Sequence, residues 1–140
     1  MTLLSKEWKP GIHLGLFILR VAVCLVLVYG HGWGKLSTIF GGKEIQFFDP
    51  IGLGTNLSYY MAGFAEGICS LLLLVGLFSR YAALILSINF MVIFYVHGIQ
   101  SQDGFQELEI IYLYLFSFIA LLCAGPGKIS LDYALASRKR

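Results

Sequence analysis

A chain of 140 residues that is 58% hydrophobic and only 13% charged, with a mean hydropathy of +0.79, lies outside the range of ordinary soluble domains. Its net charge of +2 is too small, and its basic residues too dispersed, for a nucleic-acid-binding surface. The three cysteines, Cys24, Cys69 and Cys123, sit far apart in apolar runs, which excludes a C-x-x-C redox or zinc motif and makes them small core filler.

The first apolar segment covers residues 12–36, long enough to cross a bilayer core. Arg20 in its interior, and three similar segments after it, argue against a cleavable signal peptide. At 100° per residue, His13, Arg20, Cys24, His31 and Lys35 fall within an arc of about 60°, so this helix carries one polar stripe that must face protein or water. A connection at residues 37–56 follows. It holds Gly41-Gly42, Asp49-Pro50 and Gly52-Leu53-Gly54, which is turn chemistry, and enough apolar side chains (Ile45, Phe47, Phe48, Ile51) to fold over the bundle mouth.

The second segment covers residues 57–78 and carries Glu66; the third covers 81–98 and carries Asn89 and His97. Only Ser79 and Arg80 separate them, which predicts a tight antiparallel hairpin. The fourth covers 108–124, with Glu109 near its start. Runs such as Leu71-Leu72-Leu73-Leu74 lack the alternation of a membrane barrel, so the segments are helices. The predicted fold is an all-α, integral membrane four-helix bundle, in contact with the lipid bilayer over most of its surface. Seven basic residues (Lys6, Lys9, Arg80, Lys128, Arg138, Lys139, Arg140) share one side and only Lys35 and Lys43 the other. Because basic flanks stay cytoplasmic, both termini are expected inside.

Ionisable groups within a span are costly and face the bundle interior, so function is sought there. Arg20, Glu66 and Asn89 each lie about 12–15 Å from a segment edge, which predicts an Arg20–Glu66 ion pair in the middle layer with Asn89 as a further partner. That pair fixes helix register or forms a proton-linked or anion-binding site. Nearer the outer surface, His31, Lys35, His97 and Glu109 are expected to line one outward-facing pocket with Glu66. Such donors with aromatic walls suit a quinone or a small anion. Paired histidines leave haem as a less favoured ligand, and no metal site has a signature in this sequence.

Phe64-Ala65-Glu66, Leu77-Phe78-Ser79-Arg80, His97, Glu109 and the closing Gly125-Pro126-Gly127-Lys128-Ile129-Ser130-Leu131-Asp132, together with Arg20, His31-Gly32 and Lys35, resemble the DoxX family of small bacterial membrane proteins. The resemblance implies a four-helix subunit of a redox-linked system in the bacterial cytoplasmic membrane, working with partner subunits of a membrane oxidoreductase complex or as a homo-oligomer. Its ligand would be a quinone or a small thiol or sulfur compound. The competing reading is a non-enzymatic scaffold in which the same polar residues serve packing. The closing motif also has a local reading: Gly125 stops the fourth helix, Pro126 prevents its continuation, and Ser130 caps a short amphipathic tail.

Overall fold

The computed structural model describes residues 9–138; Lys6, Lys139, Arg140 and the Lys9 side chain, used above for orientation, lie outside the described residues. Among the described residues, four helices are long and apolar enough to cross a membrane: α1 (Pro10–Phe40), α2 (Thr55–Val75), α3 (Ser79–Gln100) and α4 (Phe105–Ala124). A short α5 (Leu131–Ser137) follows, and the described residues contain no strand. Each helix packs against its chain neighbours, α3 against α4 most extensively, and α1 also meets α4, which closes the bundle.

The core holds Cys24, Leu27, Leu73, Leu86, Phe90, Phe118 and Leu121, while large apolar side chains point outward along every span, among them Ile18, Val26, Met61, Ile88, Leu113 and Phe116. Such a surface is stable only where hydrocarbon is the solvent. At 31 residues, α1 extends about 46 Å and overhangs a hydrocarbon core about 30 Å thick. The overhang is at its N-terminal end, because Arg20 already reaches Gly76 just past the end of α2, while Trp33 and Phe40 in its C-terminal part are exposed.

The hairpin differs from its expected position. Helix α2 stops at Val75, and the turn is Gly76-Leu77-Phe78, not Ser79-Arg80. Gly76 takes the left-handed conformation (φ 75°) that ends helices, with the Leu77 amide donating to the Leu72 carbonyl at 2.9 Å. Phe78 is also left-handed (φ 49°), and its amide and that of Ser79 both donate to the Asp132 carboxylate at 2.9 Å. A residue 53 positions later in the chain thus caps the N-terminus of α3, satisfying donors no helical carbonyl can reach.

The closing segment is a structural clasp. Gly125 (φ 77°) ends α4, and the Ser130 hydroxyl accepts from the Tyr133 amide to start α5, as expected from the local reading. Arg20, 1% exposed, reaches from α1 to donate to the Pro126 and Ile129 carbonyls, each at 2.7 Å. The expected Arg20–Glu66 ion pair is therefore corrected. Arg20 lies level with Gly76, about ten residues and so about 15 Å further along α2 than Glu66. The estimate failed because it gave α1 and α2 matched ends, whereas α1 is longer by 10 residues (31 against 21) and α2 ends before Phe78.

Candidate functional site

Three of the four spans contain a π-helical turn: Val28–Gly32 in α1, Phe64–Cys69 in α2 and Tyr95–Gln100 in α3. These turns carry His31, Glu66 and His97 respectively. A π turn widens the helix by one residue and shifts side chains off the regular face, an arrangement common at functional sites. Hydropathy and helical periodicity assume a regular helix, so neither could have revealed it.

At the centre, Lys35 Nζ donates to Glu66 Oε2 at 2.6 Å and Asn89 Nδ2 donates to Glu66 Oε1 at 3.1 Å. The Glu66 side chain is 5% exposed and that of Lys35 16%. Glu66 therefore finds its cation in Lys35, not Arg20, and Asn89 is the further hydrogen-bond partner expected. The pair exists because α1 and α2 approach closely here. A methyl group on Gly32 would collide with the Glu66 carbonyl oxygen and come within 3.0 Å of Gly67 Cα, and one on Gly67 would meet the Leu36 side chain at 2.6 Å. Gly63 and Gly67, four residues apart on α2, form this groove, while Gly30 and Gly34 on α1 face open space. The glycine that matters on α1 is Gly32, between them.

Above the pair lies a cavity of about 480 Å³, whose walls include His31, Lys35, Glu66, His97, Asp103 and Glu107, with Phe47, Phe90 and Tyr114 as aromatic lining. The volume falls within the range of small-molecule sites, about 300–1,000 Å³. His97 Nδ1 lies 2.6 Å from Asp103 Oδ2, which orients the ring at the rim. Phe90 and Tyr114 pack at 4.9 Å between centroids, and Phe90 contacts Phe118 beneath them.

Glu109 does not join this cavity. It lies on an exposed groove with Leu19, Phe105, Tyr112 and Phe116, and Glu107 takes the expected place. Two residues apart on a helix is a rotation of about 200°, so when Glu107 faces the bundle Glu109 faces away. Arg20 is likewise absent, being engaged by the closing segment. Of the six residues expected to bind a ligand, His31, Lys35, Glu66 and His97 line one cavity. Among the described residues, no three His, Cys, Asp or Glu side chains converge to hold a metal ion.

The loop between α1 and α2 covers part of this end. Asp49 Oδ1 accepts from the Leu53 amide at 3.1 Å and from the Ser58 hydroxyl at 2.8 Å, and Oδ2 accepts from the Gly54 amide at 2.6 Å. The Ser58 hydroxyl and these backbone donors hold the Asp49 carboxyl below the usual carboxylate range. The knot fixes Phe47, which packs edge-on to Tyr59 at 5.3 Å and reaches the cavity wall.

A protein-family model described as DoxX matches residues 15–99. The match contains Arg20, His31, Lys35, Glu66, Asn89 and His97, and stops before Glu109 and the closing segment. No curated protein and no solved structure matches the chain.

Proposed function

From the premise that this chain belongs to the DoxX family and is a multi-pass membrane protein, we propose that it is a membrane-embedded subunit of a redox-linked system. Its polar cavity binds a quinone or a small thiol or sulfur compound. The observation that carries this reading is the Lys35–Glu66 pair, held at membrane depth yet opening onto a cavity of about 480 Å³. A register-fixing pair has no need of such a space, and ionisable groups at that depth mark ligand or proton paths. Lys35 and the ring nitrogens of His31 and His97 are donors suited to quinone carbonyl oxygens or a sulfur oxyanion, and Phe47, Phe90 and Tyr114 suit a flat ring. Reducing a quinone consumes two protons along with two electrons. Those protons pass through the polar side chains that line the cavity, His31, His97 and the Lys35–Glu66 pair, and a thiol or sulfur reductant, or a partner subunit, supplies the electrons.

The setting proposed is the bacterial cytoplasmic membrane, both termini inside, with partner subunits or further copies of the chain completing an oxidoreductase complex. The basic asymmetry supports this orientation: with Lys35 buried in its pair, Lys43 is the single remaining basic residue on the outer side.

A second reading, a non-enzymatic scaffold, is favoured by one observation: Lys35, Asn89 and Glu66 satisfy one another without a ligand. Titrating purified protein in nanodiscs with a chainless benzoquinone and with thiosulfate separates the two. The redox reading expects saturable binding of one of them, weakened at least tenfold in Lys35→Met/Glu66→Gln. The scaffold reading expects none, with loss of stability in the variant as its single effect.

A further inference from the structure

A second cavity meets the first at Glu66. It has a volume of about 280 Å³ and lies between α2 and α3, walled by Met61, Ala62, Ala65, Ile85, Ile88 and Val92, with Glu66 and Asn89 its main polar groups within the spans. Phe47, Glu66 and Ile93 belong to both cavities. The loop residues Phe47, Pro50 and Ile51 close its upper end, and the Asp49 knot pins them there. Met61 and Ile88 are each about half exposed, so its open side faces the lipid. On the helical rise, its walls run from about 4 Å below the start of α2, at Ser58, to about 22 Å below the end of α3, at Ile85. That is hydrocarbon depth.

The geometry points to a lipid-soluble ligand that enters sideways from the bilayer: an amphiphile with a hydroxyl-bearing ring at Glu66 and Asn89 and a single apolar chain lying between α2 and α3. This rests on the function proposed above and selects among its ligands the chain-bearing quinone, held in this groove as the quinol that its reduction produces, over a water-soluble thiol. Two observations select the head and the tail. Asn89 spends an N–H on Glu66, and among the described residues its side-chain oxygen accepts no hydrogen bond, so the polar end of the groove presents acceptors to a hydroxyl donor. The rest of the groove is almost wholly aliphatic and narrow, near the lower limit of small-molecule sites (about 300 Å³), which suits a chain and not a second ring. A water-soluble reductant has no use for an apolar groove opening at this depth, with the aqueous end closed by a pinned loop.

The test is photolabelling in phosphatidylcholine–phosphatidylglycerol nanodiscs with a benzoquinol bearing a diazirine at the end of a ten-carbon chain, followed by peptide mass spectrometry. The expected label falls on residues 58–65 and 85–92, is displaced by unlabelled decyl-benzoquinol, and drops at least tenfold in Ile88→Trp. Leu113→Trp, on the lipid-facing side of α4, leaves it unchanged. Label spread evenly over the lipid-facing residues of all four helices and not displaced, or equal labelling of wild type and a folded Ile88→Trp, overturns the inference. The titration with chainless benzoquinone and thiosulfate then separates the two failures. Saturable, Lys35-dependent binding of either leaves the proposed function standing without the groove, and binding of neither removes both.

Discussion

Replacing Arg20 by Met should unlock the closing segment while leaving the polar cavity assembled. The guanidinium donates two hydrogen bonds of 2.7 Å to the Pro126 and Ile129 carbonyls. Charge-assisted bonds contribute about 1.5–3 kcal/mol each, so the gross loss is about 3–6 kcal/mol. Against this stands the several kcal/mol that burying a guanidinium costs, which Met does not incur. The net loss to docking of the segment is then about 2 kcal/mol, or about 30-fold in the population of the open form. Lys128 lies inside the clasped segment, so trypsin reports opening there. When opening and closing are fast relative to cleavage, the rate follows the open population. Cleavage after Lys128 in Arg20→Met should rise about 30-fold, with little change in Lys35–Glu66 coupling. Unchanged cleavage would show that Arg20 does not hold the segment. Arg20→Met lowering stability non-additively with Glu66→Gln would restore the ion pair rejected here.

Other outcomes follow from the same geometry. Lys35→Met or Glu66→Gln alone should each cost about 3 kcal/mol, and the double variant less than their sum by at least 1 kcal/mol in a denaturant cycle, because each single change strands a buried polar partner; strict additivity would mean the pair is not coupled. Gly32→Ala, which pushes a methyl into the Glu66 backbone, should destabilise by about 1–3 kcal/mol and weaken ligand binding, whereas Gly34→Ala, facing open space, should do neither. Because the folded-state pKa of Asp49 is depressed, its knot contributes stability above the unfolded carboxylate value of about 3.9 that is lost as pH falls through the lower folded value. The melting-temperature gap between wild type and Asp49→Asn should therefore be present at pH 7 and close below pH 4, and a gap that persisted unchanged in acid would contradict this role.

Much of the architecture was legible in the sequence, because hydrocarbon imposes one rule, that backbone polar groups pair within the segment, and hydropathy reads it directly. The existence of four spans, the polar stripe of α1 and the shared level of His31, Lys35 and His97 above Glu66 all follow from helical rise and rotation. What failed was register. Arg20 and Glu66 stand at similar distances from their segment edges, but α1 overhangs the bundle, and Gly32 against Glu66 sets a register that brings Lys35 to Glu66 and Arg20 to Gly76. Glu109 was misplaced for a related reason. Depth ranks it with the histidines, but rotation about α4 turns it outward and Glu107 inward. The π turns and the trans cap by Asp132 depend on contacts between distant parts of the chain, which a local pattern does not encode.

The central claim is that the Lys35–Glu66 cavity exists to hold a redox-active small molecule. Its most direct test is to extract the protein from its membrane in a lipid-retaining polymer, then identify by mass spectrometry the small molecules in an organic extract of wild type and of Lys35→Met/Glu66→Gln. The account predicts a chain-bearing quinone near one per protein in the wild type and at least tenfold depleted in the double variant. Equal amounts in both, at the level of the surrounding lipid, would contradict it.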